Sequence, residues 1–218
     1  MLYLATPSGR AVRDAMSAGL IGCMTTPAQG NIIPDGVMYA CDNGKFGKGW
    51  PGPERWLAWL ESTIIRYGAD RCLWAVAPDV PMDAAATLAE SLPWLPQIRA
   101  LGVPVAFAAQ DGAEVPGMVP WDEIDVLFLA GSTDWKLSRA TGDLAYEARQ
   151  RGKRVHMGRV NSERRLRHAA AIGCDTADGT YLAFGPDQNL PKVAGWMNRL
   201  TRRERPAVQF PMDFGGVA

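Results

Sequence analysis

The stretch CLWAVAPDVP, residues 72–81, decides the fold. Its apolar residues follow one another almost without interruption before the polar Asp79. A strand with one exposed face alternates apolar and polar residues, whereas a continuous apolar run is typical of a strand buried on both faces of a parallel sheet. Seven similar runs end in glycine, proline or a polar cluster, at 2–6, 19–26, 36–44, 104–112, 125–132, 154–162 and 174–182.

Helical patterns separate most of these runs. Their starts carry a plausible cap or proline, and several ends carry glycine. The expected helices cover 8–19, 53–68, 82–102 with an interruption at Pro93 and Pro96, 143–152, 162–173 and 190–204. Alternating strands and helices imply parallel strands joined by right-handed crossovers.

Eight such strands predict an α/β fold of the (β/α)8 TIM-barrel type, in compact form because the chain has only 218 residues. A doubly wound open sheet is the alternative, although no GxGxxG follows the first strand, as its dinucleotide-binding version requires. We expect residues 1–205 to form a single catalytic barrel and residues 206–218 to form an irregular tail.

Composition narrows the class of protein. Hydrophobic residues make up 47% of the chain, which suffices for one substantial core. No apolar run reaches the length of a membrane span, and the N-terminus lacks the pattern of a signal peptide, so we expect a cytoplasmic protein. The four cysteines are scattered without a CxxC pair and the two histidines lie in no ligand spacing, so buried thiols are expected rather than a zinc site.

Charge is distributed unevenly although the net charge is zero. Residues 151–218 contain 12 Lys and Arg against 6 Asp and Glu, and residues 1–150 contain 11 against 17. This asymmetry indicates either a basic face that follows a phosphate backbone or a solvated helix surface.

Polar residues recur at the ends of the predicted strands. In a barrel the carboxyl ends of the strands surround one active site, so these residues are expected to share one pocket. They are Asp42 and Asn43, Asp79, Gln110 and Asp111, Gly131 and Ser132, Arg159 and Asn161, and Asp175 and Asp178.

The chemistry of such a pocket is that of carboxylates, because the sequence offers no evident Cys/His or Ser/His pair. Carboxylates can bind a metal, work as an acid/base pair or attack the anomeric carbon of a sugar. Asp79, Gln110 and the backbone of Gly131 are suitable types of group for hydrogen bonding to a planar base.

Six segments in order, CDNGKF, APDVP, AFAAQDG, FLAGS, HMGRVNS and GCDTADG, resemble the queuine/archaeosine tRNA-guanine transglycosylase superfamily. The resemblance is closest to the small phage-type branch that places 7-deazaguanines into DNA, and it covers about Ala40 to Trp196. It implies a TIM barrel that exchanges a base in a nucleic acid through a covalent aspartyl intermediate.

The resemblance also implies roles for individual residues. Asp178 corresponds to the nucleophile and Asp42 to the general base, while Asp79, Gln110 and Gly131 correspond to the base-reading groups. Ser132 is expected to assist at the base. We expect the basic segment to contact the nucleic-acid backbone through Arg159, Asn161, Lys136, Arg164 and Arg165.

The chain departs from this family in two respects. It lacks the three cysteines and histidine of the zinc subdomain of the tRNA enzymes, which disfavours a tRNA substrate, and it has NGKFG where the family has SGGFQ. We therefore expect DNA rather than RNA as the partner, and a free 7-deazaguanine of the preQ0 type as co-substrate. We expect no cofactor, no metal and no membrane partner, with the chain a monomer or a homodimer.

Three alternatives stay open at this point. The first is a DNA N-glycosylase in which water completes the reaction that Asp178 begins. The second is a Mg²⁺-dependent phosphotransferase or nuclease that uses Asp42, Asp79 and Asp178 as ligands. The third is a non-catalytic nucleic-acid-binding protein on an inherited barrel.

Overall fold

The computed structural model describes residues 1–47 and 49–204, with side chains to residue 201. Eight parallel strands form a closed barrel in which each strand pairs with its sequence neighbours and β1 pairs with β8, so the predicted TIM barrel is confirmed. The strands are β1 Leu2–Ala5, β2 Gly22–Thr25, β3 Tyr39–Cys41, β4 Cys72–Val76, β5 Val105–Ala109, β6 Val126–Leu129, β7 Arg154–Met157 and β8 Thr176–Asp178. The expected tail at 206–218 lies outside the described residues.

Helices cover the outside of the barrel after every strand except β2, which leads into an irregular loop at residues 26–38, and β5, which is followed only by a short 3-10 turn at Trp121–Glu123. They are α1 Arg10–Ser17, α2 Pro53–Tyr67, α3 Ala84–Ser91, α4 Leu95–Ala100, α5 Thr133–Lys136, α6 Arg139–Gln150, α7 Glu163–Ala171 and α8 Pro186–Glu204. In the part of the chain that the structure describes, no helix is long and apolar enough to cross a membrane.

The helix before β7 begins earlier in the chain than predicted, and a short helix that was not predicted precedes it. Ser132 caps α5 by accepting a hydrogen bond from the backbone N–H of Trp135. Ser138 caps α6 in the same way through Thr141, so α6 begins at Arg139 instead of residue 143. Serine caps of this kind satisfy N–H groups that the first helical turn leaves unpaired.

Two apolar layers form the core. One fills the barrel lumen, where the large Trp74 packs beside the small side chains of Ala40, Ala106 and Ala108. The other lies between the strands and the surrounding helices and includes all four cysteines, which are buried and free as expected: Cys23, Cys41, Cys72 and Cys174. Because side chains alternate along a strand, the even-numbered residues of the strands face the lumen and reach the site above it.

Candidate active site

A cavity of about 480 Å³ opens at the carboxyl ends of β2 to β8. Its floor is apolar and consists of Val76, Ala108 and Phe128 from the top of the lumen. Its wall carries polar side chains from the strand ends and the loops that follow them: Thr26, Gln29, Asp42, Asn43, Asp79, Gln110, Arg159, Asp178 and Thr180. The expected gathering of polar strand ends therefore occurs, with Asp42, Asp79, Gln110, Arg159 and Asp178 around one space.

Asp178 is the last residue of β8 and its side chain is 18% exposed. Its Oδ1 accepts hydrogen bonds from His156 Nε2 at 3.1 Å and from the backbone N–H of Arg159 at 3.3 Å. Within the described ranges, its Oδ2 accepts no hydrogen bond from the protein. One oxygen is thus fixed, and the other is available to a ligand in the cavity.

Asp175 lies at the opposite end of the barrel. It precedes β8, and its Oδ2 accepts the backbone N–H of Val155 at 2.8 Å, which joins the starts of β7 and β8. The two aspartates of GCDTADG therefore have separate tasks, since Asp175 aligns strand starts and Asp178 faces the cavity.

His156 is a site residue that the sequence analysis missed. It lies in β7, is fully buried, and contacts Thr176 Oγ1 through Nδ1 at 2.8 Å in addition to its contact with Asp178. Burial lowers the pKa of its imidazole, an effect that the hydrogen bond to Asp178 opposes. The available signal was its position, because His156 is a polar residue inside the apolar run at 154–162 and its side chain must face either the lumen or the surrounding helices.

Asp42 follows β3 and its Oδ1 accepts the backbone N–H of Gly44 at 2.8 Å, in a tight turn where Gly44 has a φ of +80°. Burial raises the pKa of its carboxyl group to about 7, while the Gly44 hydrogen bond lowers it and the charges of Asp178 and Asp79 raise it further. A carboxyl group with a pKa near 7 can both give and take a proton at neutral pH.

Asp79 is buried and held from two sides by amide groups. Asn43 Nδ2 donates to its Oδ1 at 2.8 Å, and Gln110 Nε2 donates to its Oδ2 at 2.5 Å. Burial raises its pKa, and these two hydrogen bonds act in the opposite direction. Gln110 is itself oriented by Met82, whose backbone N–H donates to Oε1 at 2.9 Å.

The two non-glycine residues with a positive φ, among the residues described, both serve this site. Met82 has a φ of +65° and directs its N–H to Gln110, while Arg159 has a φ of +58° and directs its N–H to Asp178. Left-handed backbone at such residues costs of order 1–3 kcal/mol and clusters where a site requires it. Both strained turns therefore orient groups of the cavity wall.

Gly131 and Ser132 are placed differently from the expectation. The backbone N–H of Gly131 donates to Ala109 O at 3.2 Å, so it is not free to read a base. Ser132 donates through both its N–H and its hydroxyl to Asp111, at 2.7 and 2.6 Å. Neither residue lines the cavity, where Ala130 stands instead, because the turn after β6 folds back onto the end of β5.

The residues expected to bind phosphate lie in different environments. Lys136 is only 4% exposed and its Nζ donates to Gly158 O at 2.6 Å, so it does not face solvent as a phosphate ligand would. Asn161 braces the turn after β8 by accepting the N–H of Tyr181 at 3.1 Å. Arg164 is exposed, and Arg165 reaches back to Arg159 O at 3.4 Å.

Arg159 alone of these lines the cavity. Its guanidinium donates to Ala130 O at 2.6 Å and also to Gly131 O, and it lies 4.1 Å from the ring centroid of the exposed Phe46. Burial is the main cause that lowers its pKa. Of the residues predicted to contact the nucleic-acid backbone, Arg159 is the one that lies at the mouth of the cavity.

The carboxylates of the cavity are also of the residue type that binds metal ions. Across residues 1–47 and 49–204, no group of three or more His, Cys, Asp or Glu side chains is arranged so that it could hold a metal ion. Asp42, Asp79 and Asp178 therefore do not converge as a ligand set in this arrangement.

Comparison with known proteins gives no family. No protein-family model matches the chain, and no curated protein matches it. Solved structures with a similar barrel include L-talarate dehydratase from Polaromonas sp. JS666, at 15% identity and a TM-score of 0.48 over 84% of this chain and 54% of that one. The Bacillus subtilis YkuI protein, which has an EAL domain, matches at 13% identity and a TM-score of 0.47 over 78% and 45%.

The EAL domain of Xanthomonas citri FimX is similar at 13% identity and a TM-score of 0.42, over 80% of this chain and 64% of that one. The chain spans about half the length of the first two structures. At these identities the likeness concerns the barrel fold alone. The resemblance to transglycosylases therefore rests on the sequence segments alone.

Proposed function

We propose that the chain is a DNA-guanine transglycosylase that exchanges guanine in DNA for a 7-deazaguanine. One observation carries the proposal: Asp178 presents a free Oδ2 to a cavity that it shares with Asp42, a carboxyl group whose pKa is raised to about 7. A nucleophilic carboxylate beside a proton donor and acceptor is what base exchange at a sugar carbon requires.

In the first step, Asp178 Oδ2 attacks C1′ of a nucleotide that has left the base stack. The C1′–Oδ2 bond forms and the bond from C1′ to guanine N9 breaks, with its electron pair leaving on the base. Asp42 gives its proton to the departing guanine. Enzymes that act on a base within nucleic acid commonly take it out of the stack into a pocket of this kind.

In the second step, the incoming 7-deazaguanine loses its N9 proton to Asp42, which restores the carboxyl group. N9 then attacks C1′, and the C1′–Oδ2 bond breaks to regenerate the Asp178 carboxylate. One proton thus shuttles on Asp42 and no net charge accumulates, which suits a half-buried group with a pKa near neutrality.

The Asp79, Asn43 and Gln110 network suits the edge of a planar base. Asn43 donates its two N–H groups to Ala77 O and Asp79, so the groups left for a ligand above the apolar floor are the second N–H of Gln110 and the remaining lone pairs of Asp79. The Gly131 N–H, which the family resemblance assigns to this task, is omitted from the proposal because Ala109 O already accepts it.

DNA as the substrate rests on the family resemblance and on the cations near the mouth. Arg159 at the cavity and the exposed Arg164 are the residues to which we assign phosphate contacts. Lys136 is omitted because it is buried.

The proposal is tested by incubating the full chain with guanine-containing single- and double-stranded DNA and a labelled 7-deazaguanine of the preQ0 type. We expect label in the DNA and one free guanine for each base incorporated. Without the incoming base, a covalent protein–DNA adduct should appear on a denaturing gel, and Asp178→Ala should abolish it.

Asp175→Asn is the matched control, since it alters the neighbouring aspartate at the other end of β8 yet keeps an oxygen for the Val155 N–H. It should form the adduct as the wild type does. Abasic sites without incorporated label would refute exchange and favour the hydrolytic glycosylase. Base release that survives Asp178→Ala would remove the nucleophile from the proposal.

A further inference from the structure

A chain of three polar side chains runs into the barrel lumen beneath the cavity. Thr176 Oγ1 contacts His156 Nδ1 at 2.8 Å, and His156 Nε2 contacts Asp178 Oδ1 at 3.1 Å. The imidazole is fully buried and packs between two aromatic rings, with its centroid 4.7 Å from that of Trp74 and 4.4 Å from that of Phe128.

Strand register brings the three residues together. His156 on β7 is the direct partner of Thr176 on β8, and Asp178 lies two residues further along β8 on the same face. The imidazole therefore stands beside Thr176 in one layer of the lumen and reaches up to Asp178 in the next layer. Such a diagonal contact between neighbouring strands is within reach of a long side chain.

Hydrogen-bond complementarity decides which nitrogen of His156 carries the proton. An aspartate carboxylate can only accept, so the nitrogen that faces it must donate. Nε2 is then protonated, and Nδ1 accepts the hydroxyl proton of Thr176. The lumen around the ring is apolar, and burial lowers the pKa of the imidazole, an effect that the hydrogen bond to Asp178 opposes.

We propose that His156, whose Nδ1 is held by the Thr176 hydroxyl, is a positioning residue that holds Asp178 Oδ1 so that Oδ2 alone meets the sugar. The proposal rests on the nucleophilic role assigned to Asp178 above. His156 transfers no proton in either step, because its Nε2–H donates to Oδ1 both when Asp178 is a carboxylate and when Oδ2 is esterified to C1′.

Packing alone does not explain why a histidine occupies position 156 in the lumen. The layer around it is made of apolar side chains, and a leucine would fill the space without the cost of burying two ring nitrogens. That cost is offset here because each nitrogen has a partner at hydrogen-bonding distance. The same device, a polar partner that fixes a histidine tautomer behind a reactive group, orients the ligands of metal sites.

The first experiment needs no activity. We would record the imidazole ¹⁵N shifts of His156 in the full chain at pH 7 and 8, above the ordinary pKa of histidine. We expect the neutral Nε2–H tautomer in the wild type and also in Thr176→Val, because the Asp178 carboxylate still accepts from Nε2; only the Nδ1 resonance should shift in the variant, since Nδ1 loses its hydrogen bond from the hydroxyl. A wild-type ring that carries its proton on Nδ1, or is doubly protonated at pH 7, overturns the proposal whether or not the chain is a transglycosylase.

The second experiment measures the rate of covalent adduct formation in a single turnover. Thr176→Val should slow it by about 10- to 100-fold, the range for loss of an orienting partner of a metal ligand, with DNA affinity near the wild-type value and a lower melting temperature, because Nδ1 is then buried without a hydrogen-bond partner. Thr176→Ser keeps the hydroxyl and should restore the rate. His156→Gln keeps an N–H donor at the end of the side chain and should be faster than His156→Leu.

These results separate the two proposals. If the wild type forms no adduct and exchanges no base, the proposed function is refuted. The ¹⁵N result then tests the tautomer of His156 by itself. A wild type that forms the adduct, with a folded Thr176→Val variant at the same rate, refutes the positioning role alone.

Discussion

Lys136 should make the stability of this protein depend on pH, and Lys136→Met should remove that dependence. The side chain is 4% exposed, its ammonium donates to a backbone carbonyl, and no carboxylate forms an ion pair with it among the described residues. Burial lowers its pKa from 10.5 to about 7, and the charges of Arg159 and Arg165 act in the same direction.

The sign follows from proton counting. Between pH 7 and 10.5 the unfolded chain holds a proton on this lysine and the folded chain does not, so raising the pH favours the folded state. Each pH unit in that window contributes about 1.36 kcal/mol. Because Lys136 is still half protonated at pH 7, the free energy of unfolding should rise by about 1.6 kcal/mol between pH 7 and 8.5.

The window ends at pH 8.5 because other buried groups titrate above it. Cys23 and Cys174 have pKa values raised to about 12, and these thiols reduce stability as the pH passes the ordinary range for cysteine near 9. Comparison of the wild type with Lys136→Met cancels contributions that the two proteins share.

Urea unfolding at pH 7 and 8.5 measures the effect. Over this interval the free energy of unfolding of Lys136→Met should rise by about 1.6 kcal/mol less than that of the wild type, whatever the stability of the variant at either pH. Lys192→Met, at an exposed lysine, is the matched control and should keep the wild-type dependence. An equal rise in the wild type and Lys136→Met would show that the buried lysine titrates alike in the folded and unfolded states, and the reasoning would be wrong.

Two further predictions concern Asp42 and Gly131. If Asp42 protonates the leaving base, the single-turnover rate of adduct formation should fall about tenfold per pH unit above pH 7, and Asp42→Asn should be slow and independent of pH between 6 and 9. Gly131→Ala should lower the free energy of unfolding by about 1–3 kcal/mol, because a Cβ there would stand 2.5 Å from the Trp135 ring and 2.6 Å from the Asp111 carboxylate. Gly195→Ala, in a helix with room for the methyl group, should instead be neutral or stabilising by up to about 1 kcal/mol in the same urea titration.

Local sequence was enough to predict the barrel. The central strands are continuous apolar runs, and the expected run at 72–81 contains β4 while those at 104–112 and 125–132 contain β5 and β6. Their order follows from short crossovers, so the position of Asp42, Asp79, Gln110 and Asp178 at one mouth could be predicted without coordinates. Helix starts were less certain, since a cap is a single residue and only three of the seven serines cap a helix through their side chains.

Sequence alone fixed which residues could stand at the strand ends, because the period of a strand and its end are local properties of the chain. Only the tertiary structure decided which of their polar groups are free. Gly131 loses its N–H to Ala109 O, Lys136 turns inward to Gly158, and His156 joins Asp178. These outcomes depend on register between strands and on turns that fold back across them, which link residues about 20 positions apart and leave no periodic mark in the sequence.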